Sequence, residues 1–112
     1  MTLNVPDGPA VETPDPLSDP TAVFSALADP IRSRIVERLA LEGAMTVGQL
    51  SEPFTISAPA ISRHLNILEQ AGILQLTVDR QWRVCSLRQG AFDGAAAWLY
   101  RVADPEPRIS RI

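Results

Sequence analysis

The sequence predicts a mainly α domain that carries a small β-hairpin. Three observations lead there. Apolar residues recur at helical spacing in successive stretches between residues 20 and 103. Asp, Ser, Thr and Pro stand where those stretches begin, and Gly where two of them end. From Ile73 the period changes, and ILQLTV and WRVCSL read as strands rich in branched residues.

Asp19-Pro20 opens the first helix, because Asp is a good N-cap and Pro is pre-organised for the first helical position. Val23, Phe24, Ala26 and Leu27 give it an apolar side. Asp29-Pro30 repeats the signal for a second helix, whose stripe is Ile31, Ile35, Val36 and Leu39 and whose end is Gly43. Thr46 and Gln49 fit a capping box for a short third helix with Val47, Leu50 and Phe54 on its buried side. Pro53 limits its length. Ser57 caps the next helix, which runs to about Ala71 before Gly72. Two short helices joined by a tight turn form a helix-turn-helix. Asp79, Arg80 and Gln81 form the hairpin tip, and Phe92, Ala95, Ala96, Leu99 and Val102 mark a last amphipathic helix with Trp98 beside them.

The 112 residues make one domain, expected at 20–103. Residues 1–19 are acidic and proline-rich and are expected to be a disordered tail; 104–112 are expected to be a short second tail. No apolar run approaches the ~18 residues of a membrane helix, and the first twenty residues lack a signal peptide's basic and apolar regions. A soluble, cytoplasmic protein with no membrane partner is expected. One cysteine, Cys85, and one histidine, His64, exclude an internal disulfide and a thiolate metal cage. No nucleophile–base pair or phosphate loop is visible, so an enzyme is not expected. The net charge is −3, yet all ten basic residues are Arg and the acids gather towards the N-terminus. What matters for a nucleic-acid partner is a local basic face.

The fourth helix can be read by angle. With Ile61 at zero, Leu65 falls at about 40°, Leu68 at about 340°, His64 at about 300°, Ala60 at about 260° and Ile67 at about 240°. Those residues form one apolar arc. Pro59, Ser62, Arg63, Asn66 and Gln70 fall between about 100° and 200°. A helix that shows its first turns to the major groove needs hydroxyls, amides, a guanidinium and small apolar atoms there. Ser57, Ala58, Pro59, Ser62, Arg63 and Asn66 supply that set. The bland reading of the same arc is a solvated face.

FSALADPIRSRIVERL, then MTVGQLSEPFTISAPAISRHLNILEQAGIL, then a hairpin containing Trp82, resembles the ArsR/SmtB family of winged helix-turn-helix repressors. The likeness spans about residues 21–99. It implies a homodimer that binds double-stranded operator DNA, with the hairpin as wing and the first and last helices as dimer interface. Many members sense metal through a Cys pair in the third helix, where this chain has MTVGQL, or through His and acidic ligands in the last helix, where it has GAFDGAAAWLY. Neither set is present, so the likeness is to the metal-free branch, with no cofactor.

Arg80 and Arg83 flank the tip and are read as wing contacts to phosphate or minor groove. Phe24, Leu27, Phe92, Trp98 and Leu99 are read as dimer interface, since a thin ~80-residue body cannot hide that much apolar surface. Arg32, Arg34 and Arg38 are read as pairing with acids such as Glu37 or Glu42, or as a solvated face, and His64 and Cys85 as packed. Two other functions fit the same fold. One is a winged-helix module that binds protein. The other is a repressor that senses an unknown small molecule, or redox state through Cys85.

Overall fold

The computed structural model describes residues 20–104. The two expected tails therefore lie outside the described residues apart from Asp104, and so does the expected cap Asp19. In chain order the elements are α1 Pro20–Leu27, α2 Pro30–Glu42, β1 Met45–Thr46, α3 Val47–Ser51, α4 Ala58–Gln70, β2 Leu74–Asp79, β3 Trp82–Leu87 and α5 Asp93–Ala103.

Local chemistry sets most of these boundaries. The Asp29 carboxylate accepts from the Ile31 and Arg32 N–H groups, both at 3.0 Å, and so satisfies two orphan donors of α2. Gly43 ends α2 at φ 85°, a conformation that L side chains avoid. Thr46 and Gln49 close both halves of the capping box on α3. Ser57 accepts from the Ala60 N–H and starts α4. At the other end of α4, Gly72 N–H reaches Glu69 C=O and Ile73 N–H reaches Leu68 C=O, both at 3.0 Å. That is a Schellman motif, with buried Leu68 and Ile73 as its apolar pair.

The sheet has three antiparallel strands in the order β1-β3-β2, where the sequence announced only the hairpin. Met45 pairs with Cys85 and Thr46 with Val84. A two-residue strand is too short to show a period, so the pattern could not reveal it. The hairpin is also tighter than expected. Asp79 pairs with Trp82, so Asp79 belongs to β2 and only Arg80 and Gln81 form the turn. Arg80 takes φ 61°. Glycine ordinarily fills the first position of a two-residue turn with positive φ there, and a side chain at that angle costs about 1 kcal/mol.

The core lies where α1, α2 and α4 pack together and against the root of the sheet. Ile61, Leu65 and Leu68, one face of α4, are all buried beside Ile35, Leu50, Ile73, Leu74 and Cys85. Trimming one such leucine to alanine costs about 2–5 kcal/mol. Ile67 departs from the expected arc: it lies at the arc's edge and is exposed. In the hairpin, burial is confined to the root. Leu74 and Cys85 are buried, while Thr77 to Arg83 are exposed. The hairpin tip therefore projects beyond the body as a wing. α5 packs back on α1, and Ala95 is its one buried residue.

Candidate nucleic-acid interface

α4 is held by its apolar face, and that fixes what it presents to solvent. Ser57, Ala58, Pro59, Ser62, Arg63 and Asn66 are all exposed. Arg63 has no hydrogen-bond or ion-pair partner among the described residues. The side chains of the first turns are thus available at no packing cost. α3 is tied to α2 by Arg38, whose guanidinium donates to the Gln49 and Leu50 carbonyls at 3.1 Å. Those are carbonyls that a five-residue helix leaves without intrahelical partners.

Arg80 and Arg83 are exposed on the wing. They do not occupy equivalent places. Arg80 stands at the turn itself, whereas Arg83 pairs with Val78 and shares the sheet face of Leu76 and Cys85. Arg80 therefore extends farthest from the body.

The five residues assigned to an intersubunit surface divide into two groups. Phe24, Leu27 and Phe92 are half-buried and pack on the core. Trp98 and Leu99 are 40% and 51% exposed. Tyr100 at 73% and Val102 at 55% extend the same apolar end of the chain. The sequence reading did not assign Tyr100, which lies off the helical stripe that marked the others.

Arg38 pairs with Glu42 at 3.5 Å, as expected of it. Arg32 behaves differently. Its Nε donates to the Ala26 carbonyl at 2.6 Å and its Nη1 lies 3.2 Å from His64 Nδ1. No carboxylate of Glu37 or Glu42 is involved. His64 is only partly buried, with its Nδ1 also 3.8 Å from Asp29. The N–H of Arg32 holds the Asp29 carboxyl below its ordinary range, against some desolvation, with the Ile31 N–H and the charges of Arg32 and His64 adding to the effect.

Cys85 is fully buried, and desolvation pushes its thiol up to about 11. Arg83 opposes that shift and Glu69 adds to it. A thiol so placed is a poor nucleophile at neutral pH. Among the described residues no group of three or more His, Cys, Asp or Glu side chains could hold a metal ion. No helix among them is long and apolar enough to cross a membrane.

A capped helix-turn-helix with its second helix exposed on one face, followed by a projecting hairpin, defines a winged helix-turn-helix regulator. Known proteins agree. The model of the bacterial regulatory protein, arsR family, matches residues 29–75. The chain is 39% identical over 77 residues to the transcriptional repressor SdpR of Bacillus subtilis, covering 69% of this chain and 84% of that one. It is 43% identical over 91 residues to the arsenic resistance transcriptional regulator ArsR1 of Pseudomonas putida, covering 71% of each. The crystal structure of an ArsR family transcriptional regulator superimposes with a TM-score of 0.70 at 31% identity, covering 75% of this chain and 91% of that one. The chain belongs to the arsR family of bacterial regulatory proteins. It is a DNA-binding transcriptional regulator and not an enzyme.

Proposed function

We propose that the protein is a transcriptional repressor that binds operator DNA as a homodimer and does so without a metal sensor site. The observation that carries this reading is the outer face of α4 from its N-cap Ser57 to Asn66. Six exposed residues there are suited to base edges and phosphates, and the opposite face is locked in the core. Ser57, Ser62 and Asn66 are the hydrogen-bonding groups. Arg63 takes guanine or phosphate, and Ala58 and Pro59 offer apolar atoms to thymine methyls. Arg80, and Arg83 behind it, take phosphate or minor groove beside the same site.

The repressing role is supported by the likeness to SdpR, whose name describes it as a repressor. Dimerisation through α1 and α5 is supported by the exposed Trp98, Leu99, Tyr100 and Val102 on one terminal helix. The likeness to ArsR1 does not bring its arsenic response, because Cys85 is the only cysteine and is buried. Burial of Cys85 also weighs against a redox sensor. Action on DNA places the protein in the cytoplasm.

The test is an electrophoretic titration with the DNA upstream of its own gene over a range of salt. Operator binding gives a complex whose affinity falls steeply with salt, since each neutralised phosphate releases counterions. A protein-binding module would show no such complex.

A further inference from the structure

Trp82 begins β3 beside the wing turn and is 53% exposed. Its indole N–H has no acceptor, and its ring no aromatic partner, among the described residues. Thr46 pairs with Val84, and Val84 and Trp82 share one sheet face, so Thr46 stands on that face one strand over. Thr46, Gln49 and Trp82 line a groove of about 330 Å³ between α3 and the wing. The capping box decides what the groove offers. Gln49 Oε1 accepts from the Thr46 N–H at 2.9 Å, which leaves the amide nitrogen with its protons to donate. Thr46 Oγ1 accepts from the Gln49 N–H at 3.1 Å and keeps its own hydroxyl proton to donate. The indole adds a third donor and a broad apolar plate.

We propose that this groove holds one sugar-phosphate strand of the operator, with a deoxyribose against the Trp82 indole and the adjoining phosphate on Gln49 Nε2. The proposal rests on the operator-binding reading above and deepens it. Donors beside an apolar plate match such a strand, because phosphate oxygens only accept and a sugar presents C–H groups. The groove is also continuous with the wing contact proposed for Arg80, two residues from Trp82. The acids nearby lie off it. Asp79 pairs with Trp82 from the β2 side, and in the order β1-β3-β2 the groove is on the other side of β3. Glu42 and Glu52 line a different cavity, with Arg38. A contact to sugar and phosphate carries no base preference; it fixes where the protein sits along the duplex.

Two variants and one map of the DNA backbone test it. Trp82→Ala removes the plate. Gln49→Glu keeps the oxygen that accepts from the Thr46 N–H, and so the capping box, but replaces the donors by a carboxylate. Each should weaken binding to the DNA upstream of the protein's own gene by roughly tenfold. Gln89→Glu, which adds the same charge beyond the other end of β3, should weaken it by less than about twofold. Ethylation interference then removes the charge of one phosphate at a time. Wild type should show, in each half-site, one interfering phosphate that stops interfering in both Trp82→Ala and Gln49→Glu, with the other positions unchanged. A variant that is merely misfolded weakens all positions alike, and thermal melts followed by circular dichroism exclude it. Should Trp82→Ala fail to fold, Gln49→Glu decides together with acrylamide quenching. Operator should shield wild-type tryptophan emission, and Trp82→Phe, left with Trp98, should show no such shielding. Wild-type affinity in either folded variant, the full wild-type interference pattern in both, or emission that operator does not shield overturns the proposal while leaving operator binding intact. A wild type that prefers its upstream DNA no more than a random duplex overturns the operator reading itself, and this proposal with it.

Discussion

Phe24 and Trp98 meet edge to face, with ring centroids 5.5 Å apart and planes at 65°. The pair ties the first helix of the domain to the last. It does so with only part of the indole, since Trp98 stays 40% exposed. One edge of the ring thus serves the monomer, and the rest is open on a helix that also exposes Leu99 and Val102.

A charge at that position should break the proposed dimer. Trp98→Asp buries an unpaired carboxylate in the interface, which costs several kcal/mol. Light scattering should show a monomer, and operator affinity should fall because each half-site is then bound alone. Leu99→Asp leaves the Phe24 contact in place and should do the same. Variants that stay dimeric and bind DNA as before would make α5 a lid on the monomer core.

Arg63→Ala should weaken operator binding by about 1–3 kcal/mol without unfolding the protein. The side chain is exposed and has no partner among the described residues, so little packing is lost. A melting point lowered by many degrees, with DNA binding unchanged, would remove Arg63 from the interface.

Asp29→Ala should cost about 1 kcal/mol of stability at neutral pH, the usual value of a lost N-cap. The dependence on pH has a definite sign. The folded carboxyl lies below its ordinary 3.8. Its contribution is therefore complete above that value and is lost as pH falls through the lower folded value. Denaturation of wild type and variant should differ near pH 6 and converge in acid, at pH values well below about 4. A constant difference at every pH would mean that the charge plays no part in the cap.

Cys85 should resist alkylation by iodoacetamide at about pH 8 in the native protein and react quickly once unfolded. Its thiol, raised to about 11, offers little thiolate under native conditions. Rapid labelling of the folded protein, with loss of the DNA complex, would restore the redox reading.

Most of the fold was legible because its boundaries are local. Asp29-Pro30, Thr46 with Gln49, Ser57, Gly43 and Gly72 each act within a turn of themselves, so residue types at fixed spacing announce them. The buried face of α4 followed from helical phase alone. What could not be read depends on distance along the chain. β1 exists because Met45 meets Cys85, forty residues away. The role of Arg32 was missed because its partners are a carbonyl six residues back and a histidine 32 residues on. Phase placed His64 in the apolar arc, but only the fold shows the ring meeting charged groups there. The exposed polar arc of α4 was legible by elimination, since the core claims the other side of the helix.

Hydroxyl-radical footprinting on the DNA upstream of the protein's own gene tests the central claim most directly. A dimer that lays two copies of α4 in successive major grooves should protect two patches on one face of the duplex, centred about 10 base pairs or a multiple of that apart, over an imperfect palindrome. Arg63→Ala should weaken both patches together. A uniform footprint without sequence preference, or none at all at low salt, would contradict operator recognition by this helix.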